Sequence, residues 1–196
     1  MFSWGNITEK LRLAEFDCSN EIVVDLFAGI GYFTLVYLVH AKAIKVYACE
    51  WNPASCEALA NNLKLNKCEN RCEILQGDNR EVCPVNVADR INLGLIPTSE
   101  MSWETAVNAL KIKTGGYLHI HANVDVKKDS EKKIIPKPDW QEWALYARGE
   151  VERLFKKRTN DEWSIRIENI EYVKSYGPRV DHLVLDLICR PPNFVE

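Results

Sequence analysis

The stretch Glu21-Ile-Val-Val-Asp-Leu-Phe-Ala-Gly-Ile-Gly31 constrains the fold more than any other part of the chain. It reads as a buried apolar strand ending in a carboxylate, then a glycine-rich turn, then the start of an amphipathic helix. Glycine lets a backbone approach a ligand closely, and a helix start presents free amides to it. A second strand, Lys45 to Glu50, also ends in a carboxylate. A carboxylate at that point can hold the two hydroxyls of a ribose. Together these elements form the front half of an α/β nucleotide-binding unit.

The remaining chain continues the pattern. One helical stretch, Thr8 to Phe16, precedes strand 21–27, helix 31–41, strand 45–50, helix 53–65 and strand 72–77. Strand 89–96, helix 102–111, strand 115–124, helix 139–158 and strands 164–176 and 182–189 follow. Asn52-Pro53 suits a helix start, because Asn caps and Pro fits the first turn. Gly115-Gly116 turns the chain out of a helix into a strand. Strands alternating with helices predict a mostly parallel sheet covered on both faces. Only Gly177-Pro178-Arg179 and its neighbours join the last two strands, which predicts an antiparallel hairpin. The expected fold class is α/β: a Rossmann-like, seven-stranded sheet of the class I S-adenosylmethionine-dependent methyltransferase type. A chain of 196 residues suffices for one full core. Residues 1–20 are expected to be a lead-in packing on the cofactor site, and 21–196 the catalytic domain of a longer protein.

The nature of the nucleotide follows from what is missing. A dinucleotide fingerprint requires a third glycine at position 34, where Thr34 stands. That disfavours a nicotinamide oxidoreductase and favours S-adenosylmethionine, which has no pyrophosphate to cradle. Glu50 is placed to hold ribose. Asp78, after the third strand, can accept the adenine amino hydrogen, and Asn79 can add a contact. Each could instead be a turn residue or a cap.

Charge and cysteine usage narrow the class. The net charge of −3 does not mark a general nucleic-acid binder, and no DNA partner is expected. Residues 127–158 nevertheless carry +4 against −7 for the rest, which suits a phosphate backbone or simply a solvated helix face. The 7 cysteines include no C-x-x-C pair, so reduced thiols and a cytosolic home are expected. No apolar run is long enough for a membrane span, and no membrane partner is expected. His119 and His121 alternate on one strand face, but no third ligand accompanies them, so no metal is expected. Trp103, Tyr117 and Trp140 could stack on an RNA base or fill the core.

Five segments carry a family resemblance: Met1-Phe-Ser-x-Gly-Asn-Ile-Thr-Glu-Lys10, Val24-Asp-Leu-Phe-Ala-Gly-Ile-Gly-Tyr-Phe33, Ala48-Cys-Glu-Trp-Asn-Pro53, Gly77-Asp-Asn-Arg80 and Leu93-Gly-Leu-Ile-Pro97. The chain resembles the catalytic domain of the tRNA wybutosine-synthesising protein 2 family over nearly its whole length. The resemblance implies transfer of the 3-amino-3-carboxypropyl group of S-adenosylmethionine to a carbon of the demethylwyosine base in phenylalanine tRNA. It implies that Ser3, Lys10, Glu50, Asp78 and Asn79 contact the cofactor, beside the turn at Gly29. Ser3 and Lys10 would hold the aminocarboxypropyl arm so that methylthioadenosine leaves. Docking of tRNA is expected to need upstream domains outside these residues. Asp25, Glu100, His119 and His182 are candidates for the proton acceptor by location, and no catalytic residue is assigned. The competing readings are a tRNA guanine N1-methyltransferase, whose shorter Asn-Leu-Pro turn differs from Asn92-Leu-Gly-Leu-Ile-Pro97 here, and a cofactor-binding module without turnover.

Overall fold

The computed structural model describes residues 6–127 and 136–194. Seven strands form one sheet in the order β3-β2-β1-β4-β5-β7-β6. They are β1 (Ile22–Asp25), β2 (Lys45–Glu50), β3 (Cys72–Gln76), β4 (Arg90–Leu93), β5 (Gly116–Asp125), β6 (Ser164–Gly177) and β7 (Val180–Arg190). β1 to β5 are parallel, and β7 lies antiparallel between β5 and β6. The expected seven-stranded fold with its closing hairpin is the one observed. The chain runs outward in both directions from the β1–β4 boundary, so the crevice for a ligand falls at the carboxyl ends of these strands.

The helices follow from local chemistry. α1 (Ile7–Ala14) and α2 (Thr34–Val39) precede α3 (Pro53–Leu65), which starts where the Asn52 side chain accepts a hydrogen bond from the Ala54 amide at 3.0 Å. α4 (Asn79–Val82) and α5 (Trp103–Ala109) are short. α6 (Pro138–Thr159) has proline in its first turn and stops at Asn160, which takes the left-handed conformation at φ 62°. α2 begins at Thr34 rather than near 31, because the turn before it holds left-handed glycines. β4 is shorter than expected: after Leu93 the chain leaves the sheet, and the Asn123 amide bonds the Pro97 carbonyl at 2.9 Å.

Each face of the sheet has its own core. On one side Ile91, Leu93, Leu118 and Ile120 pack under Trp103, Val151 and Phe155 of α5 and α6. On the other Val23, Val46 and Ala48 pack under Tyr37, Leu59 and Leu63 of α2 and α3. Each buried Val, Leu, Ile or Phe side chain among these contributes roughly 1.5–3 kcal/mol through removal of apolar surface from water. Cys49 and Cys189 are core residues, and all seven cysteines are free thiols. Trp103 and Trp140 are likewise buried, so they fill the core. β5 starts at a crowded place. A Cβ on Gly115 would lie 1.9 Å from the Cys189 carbonyl oxygen, and one on Gly116 2.0 Å from that of Asp89.

Candidate functional site

A cavity of about 520 Å³ opens at the carboxyl ends of β1, β2 and β3. Glu50, Asp78 and Asn79 all line it, so three of the residues singled out in the sequence meet at one place. Its apolar walls come from Leu26, Phe27, Leu95 and Met101.

Glu50 is held by backbone. Its Oε2 accepts the Gly29 amide and its Oε1 the Asn52 amide, both at 2.8 Å. Each carboxylate oxygen keeps a further lone pair, so the group is fixed yet able to accept from a ligand. The turn that supplies the Gly29 amide is built by glycine: Gly31 has φ +100°, and a Cβ there would meet Leu59 at 2.8 Å.

Asp78 caps α4. It accepts the Arg80 amide at 2.9 Å and pairs with the Arg80 guanidinium at 2.5 Å. That hydrogen-bonded cation holds its carboxyl down to about 2. Asn79 is more buried than its expected role suggested. Its amide nitrogen donates to the Leu26 carbonyl at 3.1 Å and its amide oxygen accepts from Ser102 Oγ at 2.9 Å. It therefore ties the end of β1 to the segment after β4, with one amide hydrogen left over.

Thr34 explains why the third glycine is absent. Its hydroxyl donates to Asp25 Oδ2 at 2.8 Å, and Asn92 Nδ2 donates to Oδ1 at 3.0 Å. Burial raises the Asp25 carboxyl, and the bonds from Asn92 and Thr34 oppose that rise. Asp25 thus braces the turn from inside.

Lys10 stands on α1, its ammonium 5.5 Å from the centroid of the Tyr32 ring. Tyr32 directly follows Gly31, so Lys10 flanks the glycine turn. Ser3 lies outside the described residues. Of the other groups considered for proton transfer, Glu100 accepts from the Tyr146 hydroxyl at 3.4 Å. His182 Nε2 and His121 Nδ1 are 3.1 Å apart, and burial pushes His182 down to about 4. Among the described residues no three His, Cys, Asp or Glu side chains are grouped to hold a metal. None of the described helices is long and apolar enough to cross a membrane.

The basic stretch on α6 is mostly paired. Lys156 meets Glu162, Lys157 meets Glu104, Arg153 meets Glu150, and Arg158 donates to the Val107 and Leu110 carbonyls. The solvated-face reading fits this helix; residues 128–135 of the same stretch lie outside the described residues. Trp51 was not singled out in the sequence. It lines the cavity with 75% of its surface exposed, and its position directly after Glu50 is the signal that could have found it.

Sheet order, the switch point at β1 and β4, and the amide-held carboxylate define a class I S-adenosylmethionine-dependent transferase fold. Residues 1–140 match the TRM5/TYW2 methyltransferase domain, and the chain belongs to that family. It is 49% identical over 209 residues to a tRNA wybutosine-synthesizing protein 2 homolog of Danio rerio, covering 97% of this chain and 51% of the relative. The chain therefore spans about half the length of that relative. The solved M. jannaschii TYW2 in complex with AdoMet superposes with a TM-score of 0.77 at 32% identity, covering 97% of this chain and 78% of that one. P. horikoshii TYW2 in complex with MeSAdo gives the same TM-score, 0.77, at 32% identity, covering 97% and 64%.

Proposed function

We propose that this chain is the catalytic part of an enzyme that transfers the 3-amino-3-carboxypropyl group of S-adenosylmethionine to a carbon of the demethylwyosine base in phenylalanine tRNA, releasing methylthioadenosine. The reading rests on a likeness to TYW2 proteins across 97% of the chain, joined to a lysine at the glycine turn. The cavity fits the donor: a carboxylate with spare lone pairs for a ribose, and apolar walls for a purine.

When bound, S-adenosylmethionine supplies a cationic sulfur bearing three carbons, any of which departs from a neutral thioether on attack. Choosing among them is a matter of orientation, which is worth several orders of magnitude in effective molarity. Lys10 and Ser3 hold the carboxylate of the amino-acid tail and turn its γ-carbon toward the base. Glu50 accepts from the ribose hydroxyls. Asp78 accepts from the adenine amino group, and the free amide hydrogen of Asn79 offers a second contact. Upstream parts of the protein dock the tRNA.

Mass analysis after incubating the full-length protein with S-adenosylmethionine and tRNA carrying demethylwyosine tests the proposal. Methylthioadenosine and a nucleoside heavier by one aminocarboxypropyl group are expected. S-adenosylhomocysteine instead would assign the chain to methyl transfer.

A further inference from the structure

We infer that Asp186, acting through Arg12, is a positioning residue for the amino-acid tail of the donor. The inference rests on the role proposed above for Lys10.

α1 carries Lys10, and little apolar surface fastens that helix. Only Glu9 and Leu13 of its eight residues are buried. Charge supplies the rest. Arg12 donates to both oxygens of Asp186, at 2.5 and 3.2 Å, and to both oxygens of Glu9, at 2.7 and 2.8 Å. A guanidinium gripping two carboxylates in this way fixes orientation as well as distance.

Asp186 is itself anchored in the sheet. Its Oδ1 lies 2.5 Å from His119 Nδ1, and His119 Nε2 lies 2.7 Å from Arg90 Nη1. Arginine only donates, so Nε2 accepts, the ring is neutral and its proton sits on Nδ1 toward Asp186. Burial depresses the His119 ring; Asp186 opposes that shift, and Arg90 and Arg12 add to it. Arg90 in turn grips Glu21 at 2.5 and 2.8 Å. One line of side chains therefore runs from α1 through β7, β5 and β4 to the residue before β1. The Phe16 ring centroid lies 5.2 Å from the Arg12 guanidinium and 5.1 Å from that of Arg90.

Lys10 lies between Glu9 and Arg12 in the same helical turn. With 1.5 Å of rise per residue, fixing 9 and 12 fixes the backbone of 10. The dock therefore sets where the Lys10 ammonium stands beside Tyr32.

Calorimetric titration with two ligands tests this. S-adenosylmethionine carries the tail, and methylthioadenosine lacks it. Asp186→Asn is expected to weaken S-adenosylmethionine binding about tenfold while changing methylthioadenosine affinity less than about twofold. Arg12→Lys keeps the charge, loses the fork, and is expected to show the same selective loss; it decides the matter if Asp186→Asn fails to fold. In a Lys10→Ala background neither substitution is expected to add a further tail-selective loss. Equal losses for both ligands, or additive losses in the double variant, would overturn the inference. Should Lys10→Ala itself cause no tail-selective loss, the role given to Lys10 fails first; should it do so while Asp186→Asn and Arg12→Lys do not, only the present inference falls.

Discussion

The crevice at the carboxyl edge and the dock under α1 both rely on carboxylates, and Glu50 in the first is held by means opposite to those of the second. Glu50 is gripped by the amides of Gly29 and Asn52. Glu9 and Asp186 are gripped by the side chain of Arg12, with Asp186 lying 174 residues away in sequence. A backbone amide fixes a carboxylate without neutralising it, which leaves it able to receive a ligand. A guanidinium cancels its charge, and the pair then serves the fold. The same residue type is thus a site in one region and a fastener in the other; Asp78, which pairs with the Arg80 guanidinium yet stays partly exposed in the crevice, shows that burial decides along with the partner.

The sharpest way to break the contrast is Arg12→Ala. It leaves Glu9 and Asp186 buried side by side without their cation. A loss of about 3–5 kcal/mol in unfolding free energy is expected from chemical denaturation. Acidity probes the same dock. Burial first, opposed by Arg12, raises Glu9 from 4.5 to about 7. The folded state then binds a proton that the unfolded state has lost, so the Glu9 contribution is fully present below about 4.5 and is lost as pH rises toward 7, while the depressed rings of His119, His121 and His182 act in the opposite sense below 6.5. The Glu9 share amounts to about 3 kcal/mol. The difference in unfolding free energy between the wild type and Glu9→Gln, followed from pH 4.5 to 8, isolates this share and is expected to fall by that amount across the range.

In the crevice the balance reverses. Glu50→Gln removes charge from a group that faces ligand, and S-adenosylmethionine binding is expected to fall about tenfold or more in calorimetry. Unfolding free energy is expected to change by only about 1 kcal/mol, since a single amide bond is lost. Trp51→Ala has the smallest effect. The ring is 75% exposed, so stability is expected to move by less than about 0.5 kcal/mol, with a few-fold loss of ligand affinity read in the same titration.

The contrast also explains what could be read from sequence. All seven strands were legible, because most are apolar runs and β6 alternates apolar with polar residues, each with a turn signal after it. Glu50 and Asp78 were legible because they close such runs. The start of α2 was misjudged by three residues, since its glycine turn consumes positions that look helical. The inward use of the Asn79 side chain needed Leu26 and Ser102 brought to it by the fold. The dock was invisible as a unit. Arg90 opens an apolar strand and Asp186 interrupts one, which is a local clue to a buried charge. Nothing local says that they share one line with Glu9, Arg12, Glu21 and His119, because those six positions meet only once the sheet has formed.

The paired glycines at the foot of β5 have a wider consequence. They sit on the seam where the parallel and antiparallel parts of the sheet are stitched together, with one main chain pressing from each side. A methyl group at either would act as a wedge that no rotamer could relieve. Descendants of this chain can remodel the crevice for another donor or another base, but that dipeptide is frozen.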